Sequence, residues 1–359
     1  MRILNATSLL LICLLTGCAH QWPAGLADCT APHLERIAAQ KRLPGLAVGI
    51  GVIGVKGELI WTTQLGYAEL SQPTPLSANT SKFRIGSTSK ALTAFVVARL
   101  VRSGRIDIDA PLGTILPNMP QAHRDTTLRY LAGHLGGVRH YLDLSELGST
   151  REYASSEEAL TIFIDDPLVA NPGDAYAYST YGYTLLSAAL EEITQTPFPA
   201  LMQEQALTPL EMTNTVPDTA SVEVPERTEF YYLKEDGEYQ VGPAINSSYK
   251  WAGGGYLSTV EDLVKFGLAH FDDRVLNDDS RSLLWQSQQT SSGEPTGYGV
   301  GWFVYDQWVE HPGGALGGSV LLRIYPQEQT VVAIAANLSM LGEDRFDSLP
   351  DRLFECASR

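Results

Sequence analysis

Ser87-Thr88-Ser89-Lys90 sets a hydroxyl and an amine three residues apart at the head of an apolar segment. On a helix this spacing puts both side chains on one face, a turn apart. The segment Thr88–Arg102 is apolar on nearly every side and Gly104 stops it, so it reads as a buried helix. A lysine held near the N-terminus of such a helix has its charged form disfavoured, and its pKa falls. A neutral amine beside a serine hydroxyl is a general base for a nucleophile. The spacing alone is a weak signal, because at ordinary residue usage an S-x-x-K tetrapeptide turns up about once by chance in a chain this long. Ser247-Ser248-Tyr249-Lys250 is a second copy. It runs into Trp251-Ala252-Gly253-Gly254-Gly255, which does not suit a helix interior, and is read as coincidence.

Other chemical groups give weaker patterns. His134 and His140 stand near one another, but no H-E-x-x-H or carboxylate-rich partner accompanies them, so they read as structural and no metal site is expected. No C-x-x-C pair suggests a thiolate zinc site. Gly49-x-Gly51-x-x-Gly54 formally matches a dinucleotide fingerprint, yet a strand rather than a helix is expected after it. No G-x-S-x-G elbow occurs, which argues against an α/β-hydrolase, and there is no P-loop. No cofactor is implied.

The elements that must position Ser87 and Lys90 follow from local pattern. A short helix is expected over Ala31–Ala39, broken at Pro44-Gly45. Leu46–Ile53 and Leu59–Leu65 flank a Lys56-Gly57 turn and read as a hairpin. Helical patterns recur at Thr127–Ala132, Ser156–Asp165, Tyr181–Thr194, Ala200–Leu207 and Val260–His270, and Asp236-Gly237 marks a second hairpin. The C-terminal part is strand-like at Gly299–Val304, Gln307–His311, Gly318–Tyr325 and Val331–Leu338, with a short helix expected over Ser348–Phe354. Strands at both ends around a helical middle predict an α+β fold. Its antiparallel sheet is built from both termini (about 32–86 and 255–359) and flanked by helices, and a mainly helical lobe (about 87–254) is inserted. With no linker, repeat or charge block between Cys29 and Cys356, one integrated unit over 32–359 is expected.

The first residues read as an export signal. Arg2 precedes an apolar run at Ser8–Leu15 that is far shorter than the roughly 20 residues a membrane-spanning helix needs. Leu15-Thr16-Gly17-Cys18 looks like a lipobox, predicting a signal peptide over 1–17, lipid on Cys18 and a short tether over 18–31. In such lipoproteins an Asp after the lipidated Cys often signals inner-membrane retention; Ala19 stands there instead, so the expected location is the periplasm, anchored to the outer membrane. Of the four cysteines, Cys29 and Cys356 remain at the two ends of the folded region, either bridged or as two free thiols. The net charge of −16 provides no basic footprint for nucleic acid or anionic lipid.

Phe83-Arg84-Ile85-Gly86-Ser87-Thr88-Ser89-Lys90-Ala91-Leu92-Thr93 resembles the first motif of the serine β-lactamase-related and D-Ala-D-Ala carboxypeptidase superfamily, in its class C-like branch. Tyr178-Ser179-Thr180 sits where that family has Y-x-N, and His311-Pro312-Gly313-Gly314 matches its H-x-G motif. Framing segments agree: Thr127–Tyr141, Pro209–Asn214, Gly253–Asp262 and Tyr298–Trp302. The match runs from about Pro44 to Leu338. The resemblance implies a β-lactamase/transpeptidase-like fold with Ser87 as nucleophile, Lys90 as base and Tyr178 as proton relay to the leaving group. It assigns His311 to substrate carboxylate binding or to polarising Tyr178. Gly313 then permits close approach, and the Gly314 N–H joins that of Ser87 in an oxyanion hole. A phenol relay of this kind calls for nearby cations that favour phenolate, with Lys90 and His311 as the expected sources. Thr180 departs from the family's Asn: it keeps a hydroxyl but loses reach. The same departure is similar to a mitochondrial serine β-lactamase-like branch associated with peptidase activity. The function expected is acyl-enzyme hydrolysis of amide or ester bonds in a small-molecule or peptide substrate, carboxypeptidase-like or esterase. The alternatives are a β-lactamase and a non-catalytic penicillin-binding-like sensor. Oligomeric state is not encoded in any pattern here.

Overall fold

The computed structural model describes residues 25–54, 57–340 and 345–359. The expected signal peptide and Cys18 lie outside the described residues.

Gly45–Gly54 (β1) alternates small and large side chains, and the alternation decides what each face meets. Leu46, Val48 and Ile50 bury against the terminal helices, while Ala47 joins the main core on the other face. Gly49 and Gly51, the glycines of the false dinucleotide fingerprint, make that second face smooth. A Cβ on Gly49 would stand 2.8 Å from Val264 Cγ2, and one on Gly51 would overlap Val264 outright. They let the helix Val260–Leu268 lie directly on the sheet. As expected, a strand follows: Gly57–Glu69 (β2) pairs back along β1, Leu46 opposite Leu65 and Val52 opposite Leu59.

The sheet continues with β3 (Thr74–Pro75), β4 (Phe303–Val304), β5 (Val309–Ala315), β6 (Gly318–Tyr325) and β7 (Thr330–Ala336). Its order is β3-β2-β1-β7-β6-β5-β4, antiparallel throughout. β1 and β7 meet at its centre, so the two ends of the chain make one sheet. Helix α1 (Leu26–Lys41) and the last helix, α5 (Leu349–Ala357), cover one face, and Cys29 and Cys356 join them as a disulfide with Cα atoms 5.8 Å apart. α1 begins earlier than the Ala31–Ala39 expectation and carries Pro32 inside it.

The other face receives α4 (Val260–Leu268) and, beyond it, α2 (Ser89–Arg102) and α3 (Thr180–Thr194), both with wholly buried central segments. The helix over Asp278–Trp285 had no matching sequence expectation, and the expected strand Gly299–Val304 reduces to Phe303–Val304. There the chain is turned by Gly301 at φ +78°, where a Cβ would overlap Ala94 on α2. Among the described residues no helix is long and apolar enough to cross a membrane.

Candidate active site

Ser87 does not sit inside the helix but in a short 3-10 turn, Gly86–Thr88, that leads into α2 at Ser89. The turn is possible because Gly86 adopts φ +50°, and it is seated against β5. A Cβ on Gly313 would overlap the Ile85 carbonyl, so this strand position requires glycine. Thr88 Oγ1 donates to the His311 carbonyl at 3.1 Å, fixing turn and strand together. β5 and β6 are joined through Leu316-Gly317, so Ala315 and Gly318 close a two-residue hairpin. Gly314, one step back and opposite Ser319, then falls at a non-hydrogen-bonded position and aims its N–H away from β6. That side faces the Gly86–Ser87 backbone, since a Cβ on Gly86 would lie 3.0 Å from Gly314 N.

Lys90 is wholly buried. Its Nζ has three neighbours: Ser87 Oγ at 3.2 Å, Thr180 Oγ1 at 3.1 Å and the Gly253 carbonyl. Burial, with the charge of Lys250 adding to it, holds its pKa well below the usual lysine range. A neutral amine donates two hydrogens, here to Gly253 and Thr180, and keeps one lone pair. The remaining neighbour is the Ser87 hydroxyl, which then donates to that lone pair.

Thr180, in the place of the family's Asn, does reach Lys90. It starts α3, capped by Ser179 Oγ, which accepts from the Gly182 N–H at 2.9 Å. Its Cγ2 packs where Gly253 has no side chain; a Cβ there would stand 2.6 Å away.

Tyr178 packs its ring 4.8 Å from Lys90 Nζ and its phenol is hydrogen-bonded to the Ser87 side chain. Burial pushes the phenol's pKa up, against the downward pull of that hydrogen bond. The expectation of a phenolate supported by cations is therefore corrected: Tyr178 is a neutral phenol. His311, expected to supply part of that charge, is itself uncharged. Burial, and then the proximity of Lys90, pushes its pKa down to about 3. Its Nδ1 is 2.8 Å from the Pro312 carbonyl, which only accepts, so Nδ1 carries the proton and Nε2 accepts from the Tyr298 hydroxyl at 3.0 Å. Both nitrogens are engaged away from the cleft. His311 is wholly buried, does not line the cleft above Ser87, and has its ring centroid 6.4 Å from that of Tyr178.

His134 and His140 have a definite structural task. The Ser179 N–H donates to His134 Nδ1 at 3.1 Å and the Thr180 N–H to His140 Nδ1 at 3.2 Å. His134 also holds a left-handed backbone, φ +61°, and its carbonyl accepts the Ala177 N–H at 2.8 Å. Burial keeps both rings neutral, His140 at about 4 and His134 well below its ordinary value, so each presents a lone pair. The backbone on both sides of Tyr178 is thereby held in place.

The cleft above Ser87 encloses about 460 Å³. Among the lining side chains that sequence reasoning missed are the two cationic ones, Arg345 and Lys250. Arg345 lies against Gly314, its Nη2 2.8 Å from where a Cβ would stand, and nothing in its local sequence marks it. Lys250 belongs to the second S-x-x-K copy, whose serine is not its partner: Ser247 Oγ donates to Asp218 instead, at 3.3 Å.

A serine, a buried neutral amine, a phenol and a strand N–H set around one cleft are the apparatus of acyl transfer. The chain belongs to the Beta-lactamase family, matching it over residues 30–353, and is a serine hydrolase of that fold. It is 26% identical to the mitochondrial serine beta-lactamase-like protein LACTB of Homo sapiens, over 82% of this chain and 71% of that one. It is 27% identical to penicillin-binding protein 4 of Amycolatopsis lactamdurans, covering 85% and 84%. The crystal structure of a penicillin-binding protein from Bacillus halodurans superposes with a TM-score of 0.76 at 22% identity, covering 90% of this chain and 99% of that one.

Proposed function

We propose that the chain hydrolyses amide or ester bonds through an acyl-enzyme on Ser87, as a peptidase of the carboxypeptidase type or an esterase. The observation that carries this is the buried Lys90 amine, 3.2 Å from the Ser87 hydroxyl in surroundings that disfavour its charged form. Ser87 Oγ bonds to the substrate carbonyl carbon while its proton passes to Lys90. The oxyanion forms between the N–H groups of Ser87 and Gly314. As the intermediate collapses, the leaving amine or alcohol departs with a proton from the Tyr178 phenol, which is replenished from Lys90. Water then attacks the acyl-enzyme, giving one proton to the same pair, and the pair returns that proton to Ser87 Oγ as the acid leaves. Tyr178 needs no charge for this, because a neutral phenol passes on one proton as it receives another. Thr180 orients the amine in place of the family's Asn, and the two histidines hold Tyr178 in register. With every group of this relay in place, a non-catalytic sensor is disfavoured.

The lipobox-like Leu15-Thr16-Gly17-Cys18 supports a place for this activity in the periplasm, on a lipid anchor at the outer membrane. Membrane fractionation of a Cys18→Ser variant tests that placement, and a variant that stays membrane-bound contradicts it. The catalytic reading is tested by intact mass of the protein mixed with a penicillin and sampled over minutes. A persistent adduct on Ser87 is the peptidase-like result, whereas drug hydrolysed without an adduct identifies a β-lactamase. No adduct with any penicillin, ester or peptide contradicts the catalytic reading.

A further inference from the structure

Lys250 is a lysine the proposed chemistry does not use, yet it is built into the same cleft. It ends the 3-10 turn Ser248–Lys250, is only 3% exposed, and lines the cavity with Ser87, Tyr141 and Leu147. Its Nζ donates to the Leu147 carbonyl at 3.1 Å and stands 5.1 Å and 5.7 Å from the ring centroids of Tyr249 and Tyr141. Among the described residues it has no ion pair. The two acids nearest this wall are engaged elsewhere: Asp218 with Arg84 at 2.8 Å and Arg227 at 3.3 Å, and Glu146 with Arg139 at 2.9 Å.

A buried ammonium with a single carbonyl partner keeps spare donors and lacks a counter-charge. Burial accordingly draws its pKa down to about 7, against the opposing pull of Asp218. No aspartate or glutamate lines the cleft among the described residues, so the missing anion has room to enter from solvent. The position is separate from that of Arg345. Arg345 lies on the β5 wall beside Gly314 and acts on Tyr178 and His311, whereas Lys250 acts on Lys90 and His140 from the wall of Gly253 and Leu147.

From this placement we infer that Lys250 anchors a carboxylate of the substrate, on the cleft wall away from β5, and so selects acidic peptides or esters over neutral ones. The inference rests on the reading that substrate enters this cleft, but it is tested by binding, without turnover. The protein used is the Ser87→Ala variant, and the probes are acetyl-Ala-Glu-Ala-amide and acetyl-Ala-Gln-Ala-amide, compared by calorimetry. A charge-assisted hydrogen bond predicts tighter binding of the Glu peptide by about tenfold or more, and a ratio near one when Lys250→Gln is added. Lys250→Arg restores the preference. Thermal melts check that each variant is folded, and the Glu/Gln ratio of the Ser87→Ala protein stands even if a Lys250 variant fails to fold. Equal affinities, no binding of either peptide, or a preference that survives Lys250→Gln overturns the inference. So does selectivity only for a free C-terminal carboxylate, in acetyl-Ala-Gln-Ala, that ignores Lys250. Loss of Ser87 acylation in the otherwise intact protein is a separate result and counts against the catalytic reading instead.

Discussion

Replacing Thr180 by Val exchanges its hydroxyl, which bonds to Lys90 and also to Tyr141, for a methyl group. The γ-methyl that packs against Gly253 stays, and so does the shape of the first turn of α3. What disappears is one of three neighbours of Lys90 Nζ, the Oγ1 at 3.1 Å. In the resting enzyme this strands one N–H of a buried amine, a cost of about 1–3 kcal/mol that appears as lower stability. In the transition state the amine has gained the Ser87 proton, and the lost partner now served a charged donor, for which about 1.5–3 kcal/mol is usual. Were the two losses equal, kcat would not change. Because the ammonium needs the oxygen more, the difference of at most about 2 kcal/mol is expected to lower kcat/KM by up to about thirtyfold. The direction of the pH profile follows as well. Activity requires neutral Lys90, so it rises with pH through the pKa of that group. Losing an acceptor disfavours the ammonium further, which moves the acid limb of kcat/KM to lower pH. Hydrolysis of an activated ester across a pH series reads both quantities. A variant within twofold of the parent at every pH, with an unmoved acid limb, refutes the claim that Thr180 orients the base.

Gly313→Ala places a methyl into the Ile85 carbonyl, so strand and turn separate and the Gly314 N–H leaves its position. A loss of about 10²–10³ in kcat is expected from ester kinetics, as for other oxyanion donors; an active variant contradicts that assignment. Reducing the Cys29–Cys356 bridge, which spans 327 residues, should lower stability by up to about 5 kcal/mol in denaturant titrations while leaving ester hydrolysis intact under native conditions. His311 is neutral in the fold at about 3 against an ordinary 6.5. Its stabilising contribution is complete above pH 6.5 and is lost as pH falls toward 3, because the unfolded chain takes up the proton first. Urea midpoints from pH 7 to pH 4 should therefore decline less steeply in His311→Gln than in the parent, and parallel slopes would contradict the lowered pKa of His311.

Much of this was legible in the sequence because periodicity and spacing are local. The Ser87–Lys90 pair, the β1–β2 hairpin and the closing strands each follow from patterns a few residues long. Thr180 and Tyr178 were placed by resemblance, and the structure puts both beside Lys90. What was not legible depends on the other side of a contact. His311 looked like a cleft residue, but its ring is turned inward to Tyr298, thirteen positions away. His134 and His140 gave no motif because their partners are backbone N–H groups, which leave no trace in residue identity. Lys250 was set aside because its motif runs into Trp251–Gly255, which does not suit a helix; only the packing of Leu147 and Tyr141 brings it to the cleft. The glycines of β1 were correctly set aside as a nucleotide motif, but their purpose becomes visible only with Val264 above them.

The central claim is that Ser87 is acylated with Lys90 as its base. Stopped-flow acylation by an activated ester, with the adduct located by peptide mass mapping, measures this in the parent and in Ser87→Ala and Lys90→Met. The account predicts a single adduct on Ser87 in the parent, none in Ser87→Ala, and acylation in folded Lys90→Met slowed nearly as far, since the two groups act as a unit. Acylation at another residue, or a Lys90→Met protein that acylates at the parental rate, would contradict it.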